Sequence, residues 1–145
     1  MARALDMFAV PDGCEFHQSE GFTLNNYVIV PFLRELSGDR GAMARACADT
    51  RSRCRYVYEQ HPWYCASYLA DVIDEAAFLA QPYGLHARAE LLICRAIRQE
   101  LSGRGTEALA DYRAYLALPL WQRSVEVDPT TERFAQWRVV ALSKR

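Results

Sequence analysis

Residues 89–119 read AELLICRAIRQELSGRGTEALADYRAYLALP, and the fold turns on how the two apolar stripes in this stretch are used. With Leu85, the residues Ala89, Leu92, Ile93, Ala96 and Ile97 recur at helical intervals, which places them on one face of a helix. Ser102-Gly103 stops that helix, since glycine readily takes the left-handed conformation that closes a helical end. Thr106 is placed to cap a second helix, whose stripe is Ala108, Leu109, Tyr112, Tyr115 and Leu116. Pro119 ends or bends it, because proline has no N–H to give the helical ladder.

The same periodicity extends outward. Met43, Ala46, Cys47, Thr50, Cys54 and Val57 mark a helix that begins after Arg40 and should end near His61-Pro62. Pro62 suits the first turn of the next helix, and across Trp63 to Ala80 the stripe Ala66, Leu69, Ile73, Ala76 and Ala80 predicts one continuous element. Gln81-Pro82-Tyr83-Gly84 is a turn. Asp128-Pro129 offers a cap and a first-turn proline for a C-terminal helix over residues 129–143, with Phe134, Trp137 and Ala141 on its apolar face. Residues 23–38 predict a helix broken or kinked near Pro31, where the β-favouring run Tyr27 to Val30 also argues against a regular helix. In residues 1–21 a Pro-Asp-Gly turn separates two short apolar runs, which fits a hairpin or an ordered N-terminal arm. The expectation is a single all-α domain over residues 1–145, with five or six helices in antiparallel pairs.

Residues 89–119 also resemble one tetratricopeptide repeat, a helix, a tight turn and an antiparallel second helix in about 34 residues. Leu92 and the small Ala96 match the first helix, Gly103 the turn, Ala108 and Tyr112 the second helix, and Pro119 the closing proline. Small residues at Ala96 and Ala108 let two helix backbones approach closely. Arg95 and Gln99 depart from the pattern, standing where the family prefers apolar or aromatic residues. The resemblance implies a helix pair over residues 85–119 that contributes to a concave protein-binding surface, with neighbouring helices acting as degenerate repeats or caps. An ordinary helical bundle containing an alanine-rich pair fits the same stripes.

Composition excludes several classes of function. The chain has 145 residues, 51% hydrophobic and 24% charged, with a formal net charge of -1, so it has no global attraction for nucleic acid or anionic lipid. No apolar run approaches the length of a membrane span, and MARALDMFAVPDG lacks the apolar core of a signal peptide, which leads us to expect a cytoplasmic protein. The arginine count, 16 of 17 basic residues, and the abundant alanine fit a GC-rich bacterial genome. Five cysteines at irregular spacing fit reduced thiols better than a disulfide framework.

Chemistry-bearing clusters are few. Cys47, Cys54, His61 and Cys65 are soft ligands, but their spacings of seven, seven and four do not match the close pairs of zinc sites. Cys14 and His17 could form a thiolate–imidazole pair, yet no third residue is evident to orient them. Together these two groups define a metal- or thiol-dependent enzyme as one alternative. Arg51, Arg53 and Arg55, with aromatic residues following, define another, a nucleic-acid-associated regulator, although their two-residue spacing spreads them around a helix. Asp71, Asp74 and Glu75 are expected on one helix face, with Phe78 and Tyr64 as aromatics among the acids.

The reading that absorbs most of these features is a non-catalytic helical module that binds a protein partner, with no metal and no cofactor. An adaptor, a chaperone and an inhibitor of the immunity-protein kind all fit that class. The expected partner contacts are Arg95, Gln99, Asp111 and Arg113 on the helix pair, with Tyr64, Asp71, Asp74, Glu75 and Phe78 upstream. Phe134, Ala135 and Trp137 form a candidate surface for homodimerisation.

Overall fold

The structure is a computed structural model and describes residues 24–53, 60–82, 86–123 and 130–144. The expected arm or hairpin over residues 1–21, with Cys14 and His17, lies outside the described residues, as do Leu85 and the Asp128-Pro129 cap. Among the described residues the chain is helical and contains no strand, as the apolar periodicity requires. A π-helical turn, Asn25–Ile29, leads directly into α1 (Val30–Leu36), and α2 (Ala42–Arg53), α3 (Gln60–Leu69) and α4 (Glu75–Leu79) follow. The second half comprises α5 (Ala87–Leu101), α6 (Gly105–Ala117), the single turn α7 (Leu120–Arg123) and α8 (Thr130–Leu142).

Pro31 does not break the first helix. The Val30 N–H bonds to Asn25 O, so the ladder widens to an i→i+5 turn just before the proline. The adjustment falls where the pyrrolidine ring would otherwise crowd the preceding turn, and the chain stays helical through Leu36. A closure built around left-handed Gly38 ends α1: Gly38 N–H bonds to Glu35 O and Asp39 N–H to Arg34 O. Glu35 then orders the connection to α2, its carboxylate accepting from Gly41 N–H at 2.9 Å and Met43 N–H at 3.1 Å.

The continuous helix expected from residue 62 to 80 is instead two helices. Asp71 N–H bonds to Tyr68 O and Val72 N–H to Ser67 O, the same closure that ends α1, but with an aspartate at φ 58° where glycine is usual. Asp74 starts α4 by accepting from Ala77 N–H at 2.8 Å. Tertiary structure tolerates the left-handed aspartate, so no glycine marks the break in the sequence.

Helix α5 ends as its glycine predicts, with Gly103 N–H bonded to Glu100 O and Arg104 N–H to Gln99 O. Thr106 does not cap α6, because that helix already begins at Gly105 and its N-terminal position makes no side-chain cap. Leu118 and Pro119 do terminate α6. In α8 the buried face is Thr131, Phe134, Ala135, Arg138 and Leu142, which leaves Trp137 on the edge of the stripe, half exposed.

The core runs through all the longer helices, and its aromatic centre lies where α1, α6 and α8 meet beside α5. Phe134 stands edge-on to Phe32 at 5.9 Å and to Tyr112 at 5.8 Å, contacts that add about 0.5–1.5 kcal/mol each beyond the area buried. Beside them is an ion pair, Arg138 with Glu100, each side chain 4% exposed. The Arg138 guanidinium also lies over Trp137 at 4.5 Å and near Phe32 at 5.7 Å. Tyr112 donates its hydroxyl to Glu100 at 3.4 Å, and burial with the adjacent carboxylate pushes the phenol well above its usual range. Cys47, Cys65 and Cys94 are also in the core as buried free thiols; burial, and then the neighbouring Cys94, pushes the Cys47 thiol up to about 11.

Arg138→Met, which strands the Glu100 carboxylate, is expected to cost about 3–5 kcal/mol in urea unfolding, and adding Glu100→Leu should restore most of the loss. A double variant as unstable as the single would show that the charge pair is not the cause. A second expectation concerns pH. Backbone donors from Gly41 and then Met43 lower the Glu35 pKa, so its contribution is present above the ordinary glutamate range and lost as pH falls through the lowered value. The gap in melting temperature between the native chain and Glu35→Gln should therefore close on acidification below about pH 4.

Candidate functional site

The break at residues 70–74 changes the acidic face anticipated from the sequence. Asp71 occupies the turn, Asp74 caps α4 and Glu75 sits in its first turn, so the three acids do not share one helix face. They meet α5 across a cleft of about 620 Å³, whose opposite wall carries Arg95, Arg98 and Gln99, with Arg104 at the mouth.

Arg95 is the centre of this arrangement. Its Nε and one terminal nitrogen donate to the two oxygens of Asp111 on α6 at 2.8 and 2.7 Å, and the other terminal nitrogen donates to Glu75 on α4 at 2.9 Å. One planar guanidinium thus fixes three helices in register, which a lysine ammonium could not do. Hydrogen bonding to Asp111 raises the Arg95 pKa further and keeps the group charged. Arg98 is held by Asp71 and lies over the Tyr68 ring at 5.0 Å. Tyr68 donates toward Glu75 at 3.4 Å, and burial, followed by the Glu75 charge, pushes its phenol up to about 12, so it stays protonated near neutral pH.

The sequence-nominated residues fall into three groups. Asp71, Asp74, Glu75, Arg95 and Gln99 line the cleft, and buried Asp111 supports it from behind. Arg113 stands apart: it is exposed and directed toward Ser143 at 3.4 Å. Phe78 is fully buried edge-on to Tyr64 and Tyr68, and Tyr64 is half-buried, so these aromatics do not stand among the acids on an open face.

No family model, no curated protein and no solved structure matches the chain.

In the arginine-rich segment, Arg45 pairs with Asp39 and Arg51 is half-buried, while Arg55 and the side chain of Arg53 lie outside the described residues. Of the soft ligands, Cys47 and Cys65 are buried, whereas Cys54 and the side chain of His61 lie outside the described residues. Among the described residues no group of three or more His, Cys, Asp or Glu is placed to hold a metal ion, and no helix is long and apolar enough to cross a membrane. Phe134 and Ala135 belong to the core, so of the proposed dimer surface only Trp137 is open to solvent.

Sequence reasoning missed Tyr68, Arg98 and Arg104. Arg98 lies three residues after Arg95 on the same helix, and that spacing was the available signal. Removing Asp111 with Asp111→Ala should destabilise the chain by about 1–3 kcal/mol, because Arg95 then lacks its bidentate partner. Asp71→Gly should leave the melting temperature unchanged or raise it, since relief of the left-handed aspartate outweighs an exposed ion pair of about 0–1 kcal/mol. Equal losses in both variants would contradict this division of roles.

Proposed function

We propose that this chain is a non-catalytic, protein-binding helical module of the bacterial cytoplasm, with α5 and α6 as an antiparallel pair of the tetratricopeptide kind. The observation that carries the proposal is the cleft, where carboxylates from α4, the α3–α4 turn and α6 hold Arg95 and Arg98 before any partner arrives. A guanidinium already fixed in place loses little freedom on binding, and arginine is prominent among residues that dominate interface energies. Arg104 is exposed at the mouth of the cleft with no salt bridge among the described residues, and Val72 adds an exposed apolar rim. The groups lining this cleft suit recognition better than acid–base chemistry, because the phenol is held protonated and the acids are engaged with arginines or a helix cap. An adaptor, a chaperone and an inhibitor remain the forms such a binder takes, and the partner's own activity distinguishes them.

The test is a tagged pull-down from a bacterial lysate at low and high salt, with the native chain and Arg104→Glu side by side. The expected result is a protein partner that survives high salt and binds the variant about tenfold more weakly. Equal capture by both chains would remove the cleft from the interface, and recovery of salt-sensitive nucleic acid alone would replace the reading with nucleic-acid association.

A further inference from the structure

A second groove, which shares no lining residue with the cleft, lies between α2 and the C-terminal ends of α3 and α5. Its volume of about 490 Å³ falls within the roughly 300–1,000 Å³ of small-molecule sites. Ala44 and Ala48, exposed and one helical turn apart, line it together with Met43, Leu69 and Leu101. Arg51 follows on the same face of α2, at the spacing that aligns side chains along a helix.

Arg51 is the anomaly in this lining. Arg51 is half-buried, its Nε is closed off from solvent with no hydrogen-bond partner, and among the described residues no carboxylate pairs with it. The other arginines already described at half-buried or buried positions, Arg95, Arg98 and Arg138, each have a carboxylate. The acid nearest to hand in the lining, Glu35, has both oxygens engaged by the backbone donors of Gly41 and Met43. Among the described residues the groove therefore presents an arginine with no direct ion-pair partner beside a stretch of aliphatic surface, the Glu35 charge in the lining being turned to backbone donors.

We infer that this groove binds a small amphipathic carboxylate, with the acid group on Arg51 and a hydrocarbon body along Ala44, Ala48, Leu69 and Leu101. A charge-assisted bond to a half-buried arginine sets the orientation, and the small side chains of Ala44 and Ala48 leave room for the chain. The site is independent of the arginine cleft and does not rest on the protein-binding reading.

The probe is a dansyl-labelled undecanoic acid at neutral pH, titrated against the purified chain and followed by its emission. Saturable binding is expected, with displacement by dodecanoic acid and at least about tenfold weaker displacement by dodecanol, which lacks the charge. Arg51→Gln should weaken the probe by about tenfold, and Ala48→Phe, which fills the trough, should abolish binding while the thermal unfolding of both variants stays close to that of the native chain. Absence of saturable emission, equal displacement by the alcohol, or native binding by both variants would each overturn the assignment. If Arg51→Gln fails to fold, the acid–alcohol comparison and Ala48→Phe decide it.

Discussion

The buried pairing of Arg138 with Glu100 is the constraint on which the remainder of the architecture depends. An arginine and a glutamate that are each almost fully enclosed are tolerable only if they find each other, and here they do so across α8 and α5. The tyrosine hydroxyl of α6 and the phenylalanine rings of α1 and α8 complete the surroundings. Misplacement of α5 or α8 would strand a charge in apolar surroundings. The pair thus specifies an arrangement that aliphatic packing alone would leave less well defined.

Helix α5 connects this core to the candidate site. Glu100, near its C-terminus, reaches into the core, whereas Arg95, Arg98 and Gln99 line the cleft. Because Glu100 is locked by Arg138 and Arg95 by Asp111 and Glu75, α5 is fixed at two points along its length. The cleft therefore inherits its rigidity from the core, which explains how side chains as long as arginine can be presented in defined positions.

Among the described residues, the α3–α4 turn is where local backbone preference yields to the site. Glycine would occupy the left-handed position at lower cost, but glycine has no carboxylate for Arg98. Placing Asp71 there exchanges a small backbone penalty for the anchoring of a cleft residue. The π-helical turn before Pro31 has a simpler cause, the accommodation of a proline within an otherwise regular helix.

The sequence by itself determined the helical class and a few helix ends, while the eight helices among the described residues exceed the five or six expected. Apolar intervals of three and four residues are set by helix geometry whatever surrounds them, and Gly38, Gly103 and Pro119 mark ends through their own backbone limits. It also named Arg95, Gln99 and Asp111 as polar positions on the helix pair, and the acids at 71, 74 and 75 as a cluster. Tertiary structure alone decided which of these meet. That Arg95 would bridge α4 and α6, that α3 would stop at a left-handed aspartate, and that Arg138 would face inward in place of Trp137 all depend on partners distant in the chain. Periodicity records which face of a helix is apolar, but a charge on that face becomes acceptable only when the fold delivers its counter-ion.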